Sequence, residues 1–220
     1  MMLFFDLDGP ILDVSDRFYR TYADILKEFG CRTLRKDEYW ELKRIKVSDY
    51  DILCRTSSEY IANDFKAKRD CLIEEEERLK LDFVWHELYE TYHRLCSQIP
   101  TVIVTLRTYA ERTCWQLKTL GIYSWFGHIL SHPGRGIVKD RWIIKANLIK
   151  KADLFKDIDA RDCIFIGDTE TDVLAGKNLG MKTIAVSFGI RTKKLLLRTK
   201  PDLLFQKQSE LSEYLERLHK

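Results

Sequence analysis

The feature that most constrains this chain is the rhythm of its second half. Short apolar runs, Thr101-Val-Ile-Val-Thr105, His128-Ile-Leu-Ser131, Cys163-Ile-Phe-Ile-Gly167 and Lys182-Thr-Ile-Ala-Val-Ser187, are separated by stretches whose apolar residues recur at helical spacing. The helical stretch Tyr109 to Leu120 stops at Gly121, Asp140 to Lys151 fades into a polar loop, and Glu170 to Leu179 stops at Gly180. A glycine just past a helix supplies the left-handed cap. Strand, helix and strand in this order build right-handed βαβ units. Several runs are continuously apolar rather than alternating, as expected of strands covered on both faces. Met2 to Asp6 reads as a further strand and Pro201 to Phe205 as a sixth. The expected fold class is α/β: a doubly wound parallel sheet, a Rossmann-like core.

The first strand breaks the rhythm. About 85 residues separate Asp13 from the strand at Thr101, far more than one crossover helix needs. Tyr19 to Phe29, Glu38 to Ile45, Glu59 to Leu72 and Leu81 to Leu95 carry helical spacing, and Pro100 marks the return to the sheet. The expected organisation is a core of residues 1–13 and 100–220 with an α-helical domain inserted at 14–99. Within the insertion, Glu74-Glu-Glu-Glu77 reads as a solvated face or a helix start, since four consecutive carboxylates point in different directions around a helix. His86 and His93 lie two turns apart with no third ligand nearby in sequence, and read as packed or surface histidines.

Composition narrows the function classes. With 37 Lys and Arg against 34 Asp and Glu, a net charge of +3 gives no sign of a nucleic-acid or membrane-surface partner. The five Trp form no basic-aromatic cluster, and no apolar stretch reads as a signal peptide or membrane span. Six cysteines without a CxxC pair fit a reducing, cytoplasmic setting.

Chemistry concentrates at strand ends. In Phe4-Phe5-Asp6-Leu7-Asp8-Gly9, positions i and i+2 of extended chain face the same way, so both carboxylates can enter one crevice at the carboxyl edge of the sheet. Asp-x-Asp is common in loops and means little alone. A second acidic pair, Gly167-Asp168-Thr-Glu-Thr-Asp172, follows another strand, where either acid could simply cap the next helix. Carboxylates gathered from two central strands need a counter-charge, and a hard divalent cation such as Mg²⁺ with oxygen ligands suits them. Thr105 ends the second strand and Lys139 begins the helix after the third; a hydroxyl and an ammonium at that edge describe a phosphate site.

This order, Asp-x-Asp-Gly, then Thr, then Lys, then Gly-Asp-x-x-x-Asp, resembles the haloacid dehalogenase-like hydrolase superfamily over most of the chain. It is most similar to the phosphoglycolate phosphatase-like branch, through Leu117-Lys-Thr-Leu-Gly-Ile122, Ala175-Gly-Lys-Asn-Leu-Gly-Met181, Ala185-Val-Ser-Phe-Gly189 and Pro201-Asp202. The insertion matches that family's helical cap, which folds over the site. The resemblance implies a Mg²⁺-dependent phosphatase acting on a small phosphomonoester, a phosphorylated metabolite, as a monomer or homodimer. Asp6 is then the nucleophile that forms an aspartyl-phosphate, and Asp8 the acid and base serving leaving group and water. Mg²⁺ is implied at Asp6, the main-chain carbonyl of Asp8, Asp168 and Asp172. Thr105 and Lys139 are implied phosphate ligands, with Lys145 a competitor that the family spacing to Ile143, Ala146 and Leu148 places second.

Two departures limit what carries over. Pro10 stands where many relatives have Thr, and Leu106 and Arg107 replace small or amide residues. Arg107 is either a contact for an acidic substrate or an exposed arginine at a helix start. A β-phosphoglucomutase-like enzyme would use the same residues, passing the phosphoryl group to a sugar hydroxyl. A phosphonate-cleaving relative would need a cap lysine, and Lys43 and Lys46 are both present. A catalytically idle binding protein would be signalled by loss of Asp6, Asp8, Lys139 or Asp168, all of which are retained.

Overall fold

The computed structural model of the chain describes residues 1–132, 140–156 and 158–218. The strands are β1 (Met2–Phe5), β2 (Leu12–Asp13), β3 (Phe83–Val84), β4 (Thr101–Thr105), β5 (His128–Ser131), β6 (Cys163–Gly167), β7 (Lys182–Val186) and β8 (Leu203–Phe205). The helices are α1 (Ser15–Glu28), α2 (Lys36–Arg44), α3 (Asp49–Cys54), α4 (Ala62–Leu72), α5 (Glu76–Leu79), α6 (His86–Gln98), α7 (Ala110–Thr119), α8 (Arg141–Lys151), α9 (Glu170–Asn178), α10 (Lys193–Leu197) and α11 (Gln208–Arg217). Six strands form one sheet in the order β5-β4-β1-β6-β7-β8, parallel throughout, while β2 and β3 make a separate two-stranded sheet. The α/β doubly wound core is as expected, including β8.

β1 sits between β4 and β6, with Phe5 level with Ile103 on one side and Ile166 on the other. Its alternate side chains reach opposite layers, which is why it is apolar at every position. Phe4 joins Val102, Val104 and Phe165 beneath Ala146 and Ile149 of α8 and Ala175 of α9. On the opposite side Phe5 meets the ring of Tyr92 from α6 edge-on at 5.4 Å. The parallel strands β1, β4 and β6 therefore bring their carboxyl termini to the same edge in the middle of the sheet, β4 and β6 running a residue or two beyond the level of Phe5.

The chain divides into two compact units, Met1–Asp13 with Val84–Lys220, and Val14–Phe83. The expected insertion of residues 14–99 thus ends one helix earlier. α6 belongs to the core unit: its stripe of Leu88, Tyr92 and Leu95 is buried, and it is tied to α11 through Thr91–Ser212 and Arg94–Glu216, each at 2.6 Å. Helical periodicity identifies the face a helix buries but not the unit it buries that face in. The inserted unit is helical and has its own core, built on Tyr22, Ile25, Leu26, Tyr39, Ile52, Leu53, Ile61 and Phe65. It encloses an ion pair, Arg17 Nε to Asp82 Oδ1 at 3.1 Å, with both side chains at most 1% exposed. The Glu74–Glu77 run is a helix start, with α5 beginning at Glu76.

Candidate active site

Asp6 follows the last residue of β1, and its main-chain N–H donates to the carbonyl of Ile166 at 3.0 Å, which fixes it against β6. Directly after β6 comes Asp168, and Asp172 lies in the first turn of α9. The three carboxylates offer oxygen atoms that all lie within 4.8 Å of one another, and all three residues are buried. The same site receives Lys145 from α8, only 2% exposed, whose Nζ stands 2.7 Å from Asp6 Oδ1 and 2.5 Å from Asp172 Oδ1. Lys139 lies outside the described residues. Among the described residues, Lys145 is the lysine that bridges Asp6 and Asp172. Helix α8 begins at Arg141, so Lys145 lies in its second turn and faces the sheet with Ala146 and Ile149. In the sequence Lys145 shows only as a lysine among the apolar residues of a helix.

Crowding governs the electrostatics. Burial, with the nearby charges of Asp172 and Asp8, pushes the Asp6 carboxyl up to about 7, even though Lys145 pulls the other way. Burial, together with the charges of Asp6 and Asp172, holds Asp168 well above the usual carboxylate range. Burial alone would lower Lys145, but the carboxylates of Asp172 and Asp6 outweigh it and the ammonium is held more firmly than usual. Such a cluster stores charge that a cation would relieve.

The fit to a divalent metal can be judged from the donors. Asp168 Oδ2 accepts from the main-chain N–H of Ile190 at 2.5 Å, while Oδ1 is buried with no hydrogen-bond partner. An orphaned carboxylate oxygen is costly unless something positive meets it. Its surroundings are shaped around it: a Cβ on Gly9 would lie 1.8 Å from Asp168 Oδ2, and one on Gly189 would lie 2.2 Å from the same atom. Gly9 also has φ +109°, a conformation open to glycine. The all-oxygen donor set suits Mg²⁺. Asp172 is the most committed of the three. Its Oδ2 accepts from the N–H groups of Asp168 and Thr169 and from the Thr169 hydroxyl, closing a capping box, while Oδ1 holds Lys145. Asp172 therefore caps the helix while its carboxylate lies beside those of Asp6 and Asp168.

The turn after β1 is fastened from α6 and the residue before it. Trp85 Nε1 donates to the Gly9 carbonyl at 2.7 Å and Tyr92 Oη to the Pro10 carbonyl at 2.8 Å. Pro10 thus loses a donor but keeps an anchored acceptor. Asp8 is partly exposed, and Arg107 forks onto it, Nη2 to Oδ1 at 2.5 Å and Nε to Oδ2 at 3.3 Å. Thr105 is buried at the end of β4, and its hydroxyl accepts from the Arg107 main-chain N–H at 3.3 Å. Arg107 is 4% exposed, so it is not the exposed helix-start arginine of one sequence alternative. Of the other motifs, Asp202 ties β7 to the segment before β8, accepting from the N–H and hydroxyl of Thr183 at 2.7 Å each. His93 stacks on Trp125 with ring centres 5.8 Å apart.

A family model described as haloacid dehalogenase-like hydrolase matches residues 3–186. The chain is similar to proteins named pyrophosphatase PpaX: 21% identical to that of Bacillus mycoides over 98% of this chain and 96% of that protein, and 24% identical to that of Bacillus velezensis over 95% and 93%. Its fold is similar to that of a haloacid dehalogenase-like family hydrolase from Streptococcus pneumoniae, with TM-score 0.75 at 20% identity over 97% of each chain.

Proposed function

The chain belongs to the haloacid dehalogenase-like hydrolase family, and we propose that it is a Mg²⁺-dependent phosphatase that hydrolyses a small phosphorylated metabolite through an aspartyl-phosphate on Asp6. The observation that carries this reading is the pairing of Asp6 with Lys145 beside the orphaned oxygen of Asp168. Asp6, Asp168 and the main-chain carbonyl of Asp8 would hold the ion, with Asp172 beside them; bound Mg²⁺ supplies positive charge that lets an anionic substrate approach a carboxylate.

Asp6 attacks phosphorus with a carboxylate oxygen, the bond from phosphorus to the leaving oxygen breaks, and Asp8 gives that oxygen its proton. Asp8 then takes a proton from water, whose oxygen attacks phosphorus, breaking the bond to Asp6 and releasing inorganic phosphate. Lys145 holds the Asp6 carboxylate in line and offsets charge as the phosphoryl group arrives. Thr105, at the end of the neighbouring strand, offers its hydroxyl proton to a phosphoryl oxygen, and its acceptor bond from Arg107 leaves that donor available.

A phosphoanhydride is the second substrate class, favoured by relatives named pyrophosphatase that match over nearly their whole length. Phosphate release from a panel of phosphomonoesters and from pyrophosphate, each with Mg²⁺ and with excess chelator, tests the reading and separates the two classes. Mg²⁺-dependent release is expected. Undiminished release in chelator, or bisphosphate-dependent interconversion of sugar phosphates without release, would replace it.

A further inference from the structure

Arg107 is buried, charged and bonded to both Asp8 and Gln116. Its guanidinium engages both oxygens of Asp8, and its Nη1 donates to Gln116 Oε1 at 2.6 Å. Gln116 is itself 1% exposed and sits in α7, so the far side of the guanidinium is anchored in a rigid element. The near side is fixed through the chain: the Arg107 N–H is bonded to Thr105, the last residue of β4. From these contacts we infer that Arg107 is a positioning residue, which with Gln116 holds the Asp8 carboxylate in the orientation its proton transfers require.

A fork uses one lone pair on each carboxylate oxygen and removes the freedom of the Asp8 side chain to rotate, while leaving other lone pairs able to carry a proton. Lysine cannot reproduce this, since an ammonium meets a carboxylate as a point charge. This inference rests on the proposed roles of Asp6 and Asp8, and it assigns Arg107 to Asp8 rather than to the substrate.

The test is kcat/KM, which reports the first bond cleavage, measured with Mg²⁺ on an alkyl and an aryl phosphate. Arg107→Met should lower the alkyl value by about 10- to 100-fold, the size typical when a group that orients a reacting residue is lost, and leave the aryl value close to wild type, because a good leaving group departs without a proton. Asp8→Asn should show the same selectivity, and Asp8→Asn with Arg107→Met should be no slower than Asp8→Asn alone. Arg107→Lys should fall between wild type and Arg107→Met. Gln116→Leu, which keeps the arginine and removes its anchor, should show a smaller loss of the same kind and serves if Arg107→Met does not fold. Equal losses on both phosphates, or effects of Arg107→Met and Asp8→Asn that multiply, would overturn the inference. Trapping the phosphoenzyme on wild type separates the two levels: if none forms during turnover, the proposed function itself falls, whereas unselective losses with a phosphoenzyme present remove only the role of Arg107.

Discussion

Replacing Asp6 by Asn should stabilise the metal-free protein while destroying its activity. An amide has the shape of the neutral carboxyl and carries no charge, and the neutral form is the one the folded site favours. Asp6 is raised from 3.8 to about 7 by burial and by Asp172 and Asp8, net of the pull from Lys145. At about 1.4 kcal/mol for each tenfold change in protonation, keeping Asp6 ionised costs the folded state about 4 kcal/mol at pH 8. Sharing of protons within the cluster and rearrangement around the amide would take back part, so about 2–4 kcal/mol is expected. The sign follows from the direction: a carboxyl raised on folding contributes stability that is complete below about pH 4 and is lost as pH rises towards 7. The variant lacks that loss, so its advantage should be large at pH 8 and much smaller at pH 5. Thermal unfolding in excess chelator at both pH values reads this directly, at about 2–4 °C per kcal/mol for a chain of this size. Added Mg²⁺ should narrow the gap by stabilising wild type more than the variant. An Asp6→Asn protein that melts at or below wild type at pH 8 in chelator would refute the electrostatic reasoning.

Lys145→Met should have the opposite effect, costing about 3–5 kcal/mol in chelator, because it leaves the buried carboxylates of Asp6 and Asp172 without their shared cation; a denaturant midpoint measures it, and turnover should fall with it. Gly9→Ala should weaken Mg²⁺ binding and abolish turnover, since its Cβ would occupy the space of Asp168 Oδ2 on a backbone at φ +109°; a Mg²⁺ titration followed by thermal shift would show the loss. Asp202 is held below the usual carboxylate range by the side-chain and main-chain hydrogen bonds of Thr183. Its contribution is therefore present above about pH 4 and lost as pH falls through its lowered value, so Asp202→Ala should lower stability modestly at pH 7, the exposed site being screened by water, and the difference should shrink in melts at acid pH.

The sheet was legible because its strands have continuously apolar centres and are punctuated by Gly121 and Gly180, signals that survive without any knowledge of packing. The carboxylates of the site were legible for a related reason: Asp6, Asp8, Asp168 and Asp172 are placed by the strands they follow, and a strand end is a position sequence can locate. What was not legible depends on contacts between elements distant in sequence. α6 reads as an amphipathic helix in either unit, and its bonds to α11 and the meeting of Tyr92 with Phe5 and Pro10 assign it to the core. Lys145 sits on the sheet-facing side of α8, and its partners are 139 and 27 residues away, so spacing within the helix could not rank it. Arg107 carried a charge at a position of known chemistry, yet its partner Asp8 is 99 residues away in the chain. Asp202 resembled a family signature and turned out to be a strand tie, which a motif match does not distinguish from a site residue.

In the proposed reaction Asp6 carries the phosphoryl group during turnover. The direct measurement is mass spectrometry of protein quenched in acid during Mg²⁺-dependent hydrolysis of an aryl phosphate, with digestion to find the modified peptide. A phosphoryl adduct is expected on the peptide bearing Asp6 in wild type, and neither adduct nor turnover in Asp6→Asn. Wild-type turnover by Asp6→Asn, or an adduct on another residue, would contradict it.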